Sequence, residues 1–385
     1  MLQLTGYPRP NGQAGIRNYA LVISTVHCAN TAAQKIAFQT GAHVITHDVG
    51  CVEFEQSHAR TCLALLTAAK NPNIGAVLLV GAGCEQTDLP ALEREIAETG
   101  KPVGHVTIQE AGGAPEAVAL GVERLERLKA AAVQERVPIP FSKLVVGVQC
   151  GGSDWTTALA GNTTLGAMTD RIIAAGGTVL MGEVAGLPGS EHIIAEHAVS
   201  KEAGLQIIDM CSELRAEFLE TRGQAIEEVN PTPGNKAGGI TTLVEKSMGN
   251  IKKMGSAPVQ GTIRAGEAVP HPGLWIVDIR SDGPDANTTS GFAMAGANLT
   301  VFSTGRGSPM GNVAMPVLKV TGNPEAFQAL GSILDFNAGD TLMGTDVEIV
   351  AERLMALVAE VVNGKETKSE INGDFEFIIP RERQR

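Results

Sequence analysis

Three strand-like runs in this chain end in a thiol. They read HDVGC at 47–51, GAGCE at 81–85 and QCGGSD at 149–154, and a fourth, TVHCAN at 25–30, comes close. Cys51, Cys84 and Cys150 each have a glycine within one or two positions, which lets backbone N–H groups approach a ligand. A thiol so placed can be a nucleophile, a soft metal ligand or an inert core residue, because free cysteine behaves as a small, often buried hydrophobe. The recurrence at three ends points to a site. His27 and His47 precede such cysteines by one and four residues; each could be a ligand or a base, or a histidine satisfied structurally. His192 and His197 fall on an expected helix and read as surface or packing residues. No CxxC pair is present, so the pattern is not that of a zinc finger.

Two further motifs carry charge on glycine-rich turns. STGRGS at 303–308 has the composition of an anion nest, with Gly305, Gly307 and Ser308 around Arg306, whose fork can hold a carboxylate bidentately. PGNKAGG at 233–239 offers Asn235 and Lys236 in the same way. The plainer reading of both is an ordinary turn with a solvated cation.

These residues need elements to hold them. Apolar runs at 18–28, 42–51 and 74–84 alternate with helical stretches, then a short strand near 101–109 and a helix from about 114 to 134, the spacing of an open parallel sheet. QERVPIPFS at 134–142, with two prolines, is the expected linker. Strands are expected again at 143–149 and in GTVLMGEVAG, GLWIVDIR, NLTVFS and PVLKVTGN, with helices over 163–175, about 190–228, 240–255 and 346–363. NPTPGNKAGG at 230–239 is expected to be irregular, given its prolines and glycines. The expected fold is α/β, with two domains built around mostly parallel sheets with flanking helices. A Rossmann-like domain would cover 1–138 and a catalytic domain 139–385. Ligands of such sheets sit outside the carboxyl ends of the strands.

Composition agrees. The chain has 385 residues, 43% hydrophobic but only 4% aromatic, with 45 glycines, so its cores must be built from Ala, Val, Leu and Ile. A formal net charge of −12 argues against nucleic acid, which demands clustered Lys and Arg. No secretion signal opens the chain and no apolar run reaches about 18 residues, so a cytoplasmic protein is expected. In that compartment its six cysteines are thiols rather than disulfides. No G-x-G-x-x-G follows the first strand, which disfavours a nucleotide-binding oxidoreductase.

GYPRPNGQAGIRNY near the start, GAGCE, LVVGVQCGGSD at 144–154, PGNKAGG, EKSMGNIKKMGSAPV at 245–259 and FSTGRGSPMG at 302–311 together resemble the altronate/galactarate dehydratase family. The resemblance runs along nearly the whole chain, and its QCGGSD and TGRG stretches are specific. It implies a hydro-lyase that turns a sugar acid into a 2-keto-3-deoxy acid and water, typically with Fe²⁺ or another divalent metal such as Mn²⁺. A relative in the same family expels sulfite from sulfolactate. Family members commonly begin with a small domain of about 90 residues; here a separate small subunit would supply it, or the chain would work without it. A homo-oligomer is also expected. On this basis a metal is expected among Cys51, Cys84, Cys150 and His27, with an iron–sulfur cluster as the variant. His47, Asp154, Glu85, Glu183 and Lys236 are the acid–base candidates. Arg306, with Gly305, Gly307, Ser308, Asn235 and Ser153, would bind the substrate. The rival from another class is a non-catalytic anion-binding subunit.

Overall fold

The computed structural model describes residues 3–279 and 285–380. Its frame is two parallel sheets. The first has the order His43–Ile45, Tyr19–Ser24, Ile74–Gly81, Val103–Thr107, all parallel. Every residue of Ile74–Gly81 is buried, as expected of a parallel strand covered on both faces by helices. The second sheet has seven parallel strands in the order Val259–Arg264, Leu274–Asp278, Thr178–Met181, Val145–Cys150, Leu299–Ser303, Val317–Thr321, Phe336–Asn337. The chain enters this sheet at Val145–Cys150, builds outward on one side, and returns to build the other from Leu299–Ser303. The switch point therefore lies between these two strands, where Cys150 pairs with Ser303. In open α/β sheets the ligand crevice opens at that point.

The expected linker at 134–142 contains a strand. Val137–Ile139 pairs antiparallel with Leu4–Gly6, at the edge of a small three-stranded sheet. An edge strand tolerates Pro138 because no ladder N–H is demanded there. The irregular stretch expected at 230–239 likewise contains a short helix, Pro233–Ala237, with proline in its first turn and Thr232 as its cap. Proline costs nothing where the helical N–H has no partner.

Three asparagines stitch the two sheets together. Asn71 Nδ2 donates to the carbonyls of Ala293 and Ala297 at 2.9 and 3.0 Å. Asn73 Nδ2 donates to those of Asn298 and Ala314 at 2.8 and 3.1 Å, while its Oδ1 accepts from Ile16 N. Asn298 Nδ2 closes the loop on Ala14. Asn73→Ala would strand these buried groups, so a loss of about 1–3 kcal/mol is expected, read as a lowered thermal midpoint. The C-terminal segment adds a strap: Arg17 forks onto Glu370 at 2.7 and 3.0 Å, and Phe375 stacks on His43 with centroids 4.1 Å apart.

Candidate active site

Of the four cysteines at expected strand ends, Cys150 alone ends one. Tyr19–Ser24 stops before His27 and Cys28, which fall in a 3₁₀ turn. His43–Ile45 and Ile74–Gly81 stop short of Cys51 and Cys84. Gly83, with φ of 109°, turns the chain just past its strand and before Cys84, whereas the strand ahead of Cys51 has already ended at Ile45. Cys28, Cys51 and Cys84 are exposed, whereas Cys150 is buried.

Around Cys150 the second sheet assembles a dense polar cluster. Its thiol donates to Glu183 Oε2 at 3.1 Å and lies 3.3 Å from Asn250 Oδ1. Asn162 Nδ2 and Lys253 Nζ approach the sulfur at 3.5 and 3.4 Å. Lys253, fully buried, also pairs with Glu183 Oε2 at 3.2 Å and bonds Asn250 Oδ1. Lys246 lies 3.6 Å from Glu183 Oε1 and donates to Asn230 Oδ1 at 3.0 Å. Glu183 is therefore gripped between two ammonium groups, on a backbone with φ of 64°. Such left-handed strain in a residue other than glycine collects at functional sites. The helix carrying Asn162 begins with a π-turn, Thr157–Gly161, another feature frequent at functional sites.

The charges of this cluster separate two carboxyl groups. Burial raises Glu183, but Lys253 and Lys246 more than offset it and hold the carboxylate below its usual range. Asp285 lies close to the same glycine turn: a Cβ on Gly151 would stand 2.0 Å from its Oδ2. Burial, then the negative charge of Glu183, push Asp285 up to about 6. Burial also works against the charge of Lys253, but Cys150 and Glu183 outweigh it and keep the ammonium above the lysine range. Burial and Glu183 push the Cys150 thiol up, against the pull of Lys253. The two carboxyls are thus driven in opposite directions, the kind of split by which an environment sets different protonation states for like groups.

The glycine-rich motifs do converge beside this cluster. Asp154 Oδ1 accepts from Thr156 Oγ1, Thr157 N and Thr157 Oγ1, and its Oδ2 from Asn323. Asn235 Nδ2 donates to the Ser153 carbonyl at 2.9 Å. Arg306 N donates to Gly152 O at 3.0 Å and Gly307 N to Thr304 Oγ1 at 3.0 Å. These backbone N–H groups are therefore spent inside the protein rather than forming an anion nest. What faces outward is the exposed side chains of Arg306 and Lys236, with Ser308 partly exposed beside them. Two buried polar atoms near Cys150 in sequence, Gln149 Oε1 and Ser153 Oγ, have no hydrogen-bond partner among the described residues. Gly305 is required by contact: a Cβ there would lie 1.9 Å from Asp154 Oδ1, and Asp154 is tied down by its donors. Gly305→Ala is expected to cost about 1–3 kcal/mol and to displace Arg306, read as a lower melting temperature with a raised KM.

Three expected acid–base residues are occupied elsewhere. Asp154 knits its own turn, as above. Glu85 accepts from the N–H groups of Ala82, Gly83 and Cys84 and from Thr25 Oγ1. His47 Nε2 donates to Ser24 O at 2.9 Å and its Nδ1 accepts from Val49 N at 3.3 Å. His27, exposed, touches Asn30 at 3.4 Å. The ligand set expected for a metal does not assemble: among the described residues no three His, Cys, Asp or Glu side chains converge to hold an ion. Cys150, the buried member, already faces the Lys253 cation. Conversely, the sequence reading passed over Lys246, Asn250, Lys253, Asn162 and Asp285. A signal existed for three of them: Lys246, Asn250 and Lys253 recur at i, i+4 and i+7, a polar stripe on one helical face.

Comparison with known proteins decides what this architecture is. Residues 6–133 match the family described as D-galactarate dehydratase/altronate hydrolase, second domain, and residues 141–384 match D-galactarate/altronate dehydratase, C-terminal. The chain belongs to the D-galactarate/altronate dehydratase family. It is 34% identical to altronate dehydratase of Bacillus subtilis, over 97% of this chain and 76% of that protein. It is 33% identical to the Escherichia coli altronate dehydratase with the same coverage. It is also 30% identical to the (2R)-sulfolactate sulfo-lyase subunit beta of Chromohalobacter salexigens, over 98% of this chain and 96% of that one. As a family member the chain is an enzyme of the lyase type. Among the described residues no helix is long and apolar enough to cross a membrane.

Proposed function

We propose that this family member dehydrates a sugar acid of the altronate or galactarate type to a 2-keto-3-deoxy acid, with Asp285 as the base. One observation carries the reading: burial, and then the Glu183 carboxylate clamped by Lys246 and Lys253, raise Asp285 to about 6. The C2 proton beside a carboxylate is a very weak acid and hydroxide leaves poorly, so catalysis needs a base, charge stabilisation and an acid. Above pH 6 Asp285 takes the C2 proton. Lys246, at the mouth of the cluster with 13% of its side chain exposed, donates a proton to the departing C3 oxygen. The C2–H and C3–O bonds break, a C2=C3 enol forms, water leaves, and the enol becomes the ketone. Arg306 and Lys236 at the rim hold the carboxylate end or ends, and Gln149 Oε1 and Ser153 Oγ, without hydrogen-bond partners among the described residues, suit a polyhydroxylated chain. Lys253, Asn250 and Cys150 orient Glu183 from behind. Fe²⁺ or Mn²⁺, if bound, would supply Lewis-acid stabilisation of the charge that develops beside the substrate carboxylate. Six unpaired thiols suit a cytoplasmic setting.

A second reading is a sulfolactate-type sulfo-lyase. It is supported by 30% identity to the sulfo-lyase subunit beta over 98% of this chain. That relative's designation as a subunit makes a separate small partner chain part of this reading. An anaerobic assay tests both, with and without Fe²⁺ and with and without a candidate small subunit, on altronate, galactarate and sulfolactate. A 2-keto-3-deoxy product from a sugar acid supports the first reading, and sulfite release alone supports the second. Ligand-raised melting temperature with no product under any condition would leave a binding subunit.

A further inference from the structure

Far from Cys150 along the chain, helix Glu55–Lys70 carries His58 and Cys62 one turn apart, a spacing that makes side chains neighbours. His58 Nε2 lies 3.5 Å from Cys62 Sγ. The sulfur is 4.0 Å from His58 Nδ1 as well, and that nitrogen lies 3.5 Å from Glu53 Oε2. The imidazole thus stands within reach of both thiol and carboxylate, with Nε2 the nitrogen nearer the sulfur. Glu53 is held in place: its Oε1 accepts from Thr61 Oγ1 at 2.9 Å, its N–H bonds Gln86 Oε1, and its carbonyl accepts from Gln86 Nε2 at 3.2 Å. Its side chain is only 7% exposed, and its Oε2 has no hydrogen-bond partner among the described residues, so the imidazole is what that oxygen faces. Cys62 itself is half-buried, with Thr87 Oγ1 3.9 Å from its sulfur. Burial, with Glu53 and Glu95, pushes its thiol up. At rest the proton therefore stays on sulfur, and reaction needs a base at hand.

We propose that Cys62 is a modification site, a thiol that His58 deprotonates and Glu53 supports, which reacts with hydroperoxides. As sulfur attacks, an S–O bond forms and the peroxide O–O bond breaks. Sulfur is oxidised to the sulfenic acid and the peroxide is reduced to an alcohol, or to water from hydrogen peroxide. The thiol proton passes to His58 and on to the departing oxygen, so no other reactant is required. The proposal is independent of which substrate the lyase takes, because none of these residues belongs to the cluster around Cys150.

The chain supplies its own controls in Cys28, Cys51 and Cys84, which are exposed. The full-length protein is exposed to limiting hydrogen peroxide with dimedone present, and each cysteine is followed by peptide-resolved mass spectrometry. Cys62 is expected to be trapped at least about tenfold faster than the three exposed thiols, a modest share of what general-base help supplies. The advantage should vanish in His58→Gln and shrink in Glu53→Gln. A Cys62 rate no higher than that of Cys28, Cys51 and Cys84 overturns the proposal in the wild-type protein, with no variant needed. So does an unchanged rate in folded His58→Gln, the result if histidine and thiol merely pack together.

Discussion

Lys253→Met is expected to destabilise the protein by about 3–5 kcal/mol and to abolish turnover. Methionine fills a similar volume, so the variant removes the charge and little else. Its loss leaves Glu183, buried and ionised, with Lys246 at 3.6 Å as its remaining cation. The dependence on pH gives the signature. In the wild type Glu183 titrates below its ordinary 4.5, so it adds stability above that pH and loses it on acidification. Without Lys253 burial dominates, the carboxyl titrates above 4.5, and the sign reverses. The stability lost should then be greatest at neutral pH and smallest in acid. Adding Glu183→Gln to Lys253→Met should restore much of the melting temperature but none of the activity. A Lys253→Met protein as stable as the wild type at pH 7 would show that the pair carries no such weight.

Asp285→Asn is expected to lower kcat by about 10²–10⁴-fold, the usual share of a general base, while making the fold more stable. The two effects have one cause. Burial and Glu183 raise Asp285 from 3.8 to about 6, so the folded protein resists the ionisation that catalysis needs. That resistance is absent below the unfolded value and complete above the folded one. The variant should therefore match the wild type in melting temperature near pH 3.5 and exceed it above pH 6, by about 1–3 kcal/mol. The wild-type kcat/KM should rise with pH through about 6, and the residual activity of the variant should lack that rise. A variant retaining full turnover would transfer the role of base to another group. Gains in stability with losses in activity are the familiar mark of a strained site.

Much of the scaffold was legible because burial has a local signature. Ile74–Gly81 is buried at every position and announces itself as a continuous apolar run. The helix over 346–363 is seen at Val347–Val362. The glycine-rich motifs were also legible as a group: QCGGSD, PGNKAGG and STGRGS do meet, through Asn235 on Ser153 and Arg306 on Gly152. Their chemistry was harder to read. Asp154 looks like an acid–base residue in sequence, but its carboxylate is consumed by Thr156, Thr157 and Asn323. A short polar side chain after a glycine turn serves equally well as a turn lock, and nothing local distinguishes the two. The strand Val259–Arg264 is not legible, since its burial alternates regularly but the inward position between Val259 and Ile263 is Gly261, which interrupts the apolar alternation.

Apolar periodicity by itself established two parallel sheets and put Cys150 at a carboxyl edge, because alternation and continuous burial are properties of neighbouring residues. Only the tertiary structure separated that thiol from the other three and joined it to Glu183, Lys253 and Asp285. Strand order brings those groups together, and a buried charge takes its character from whatever opposite charge the fold sets beside it. That pairing lies between segments far apart in the chain, where no pattern of adjacent residues reaches.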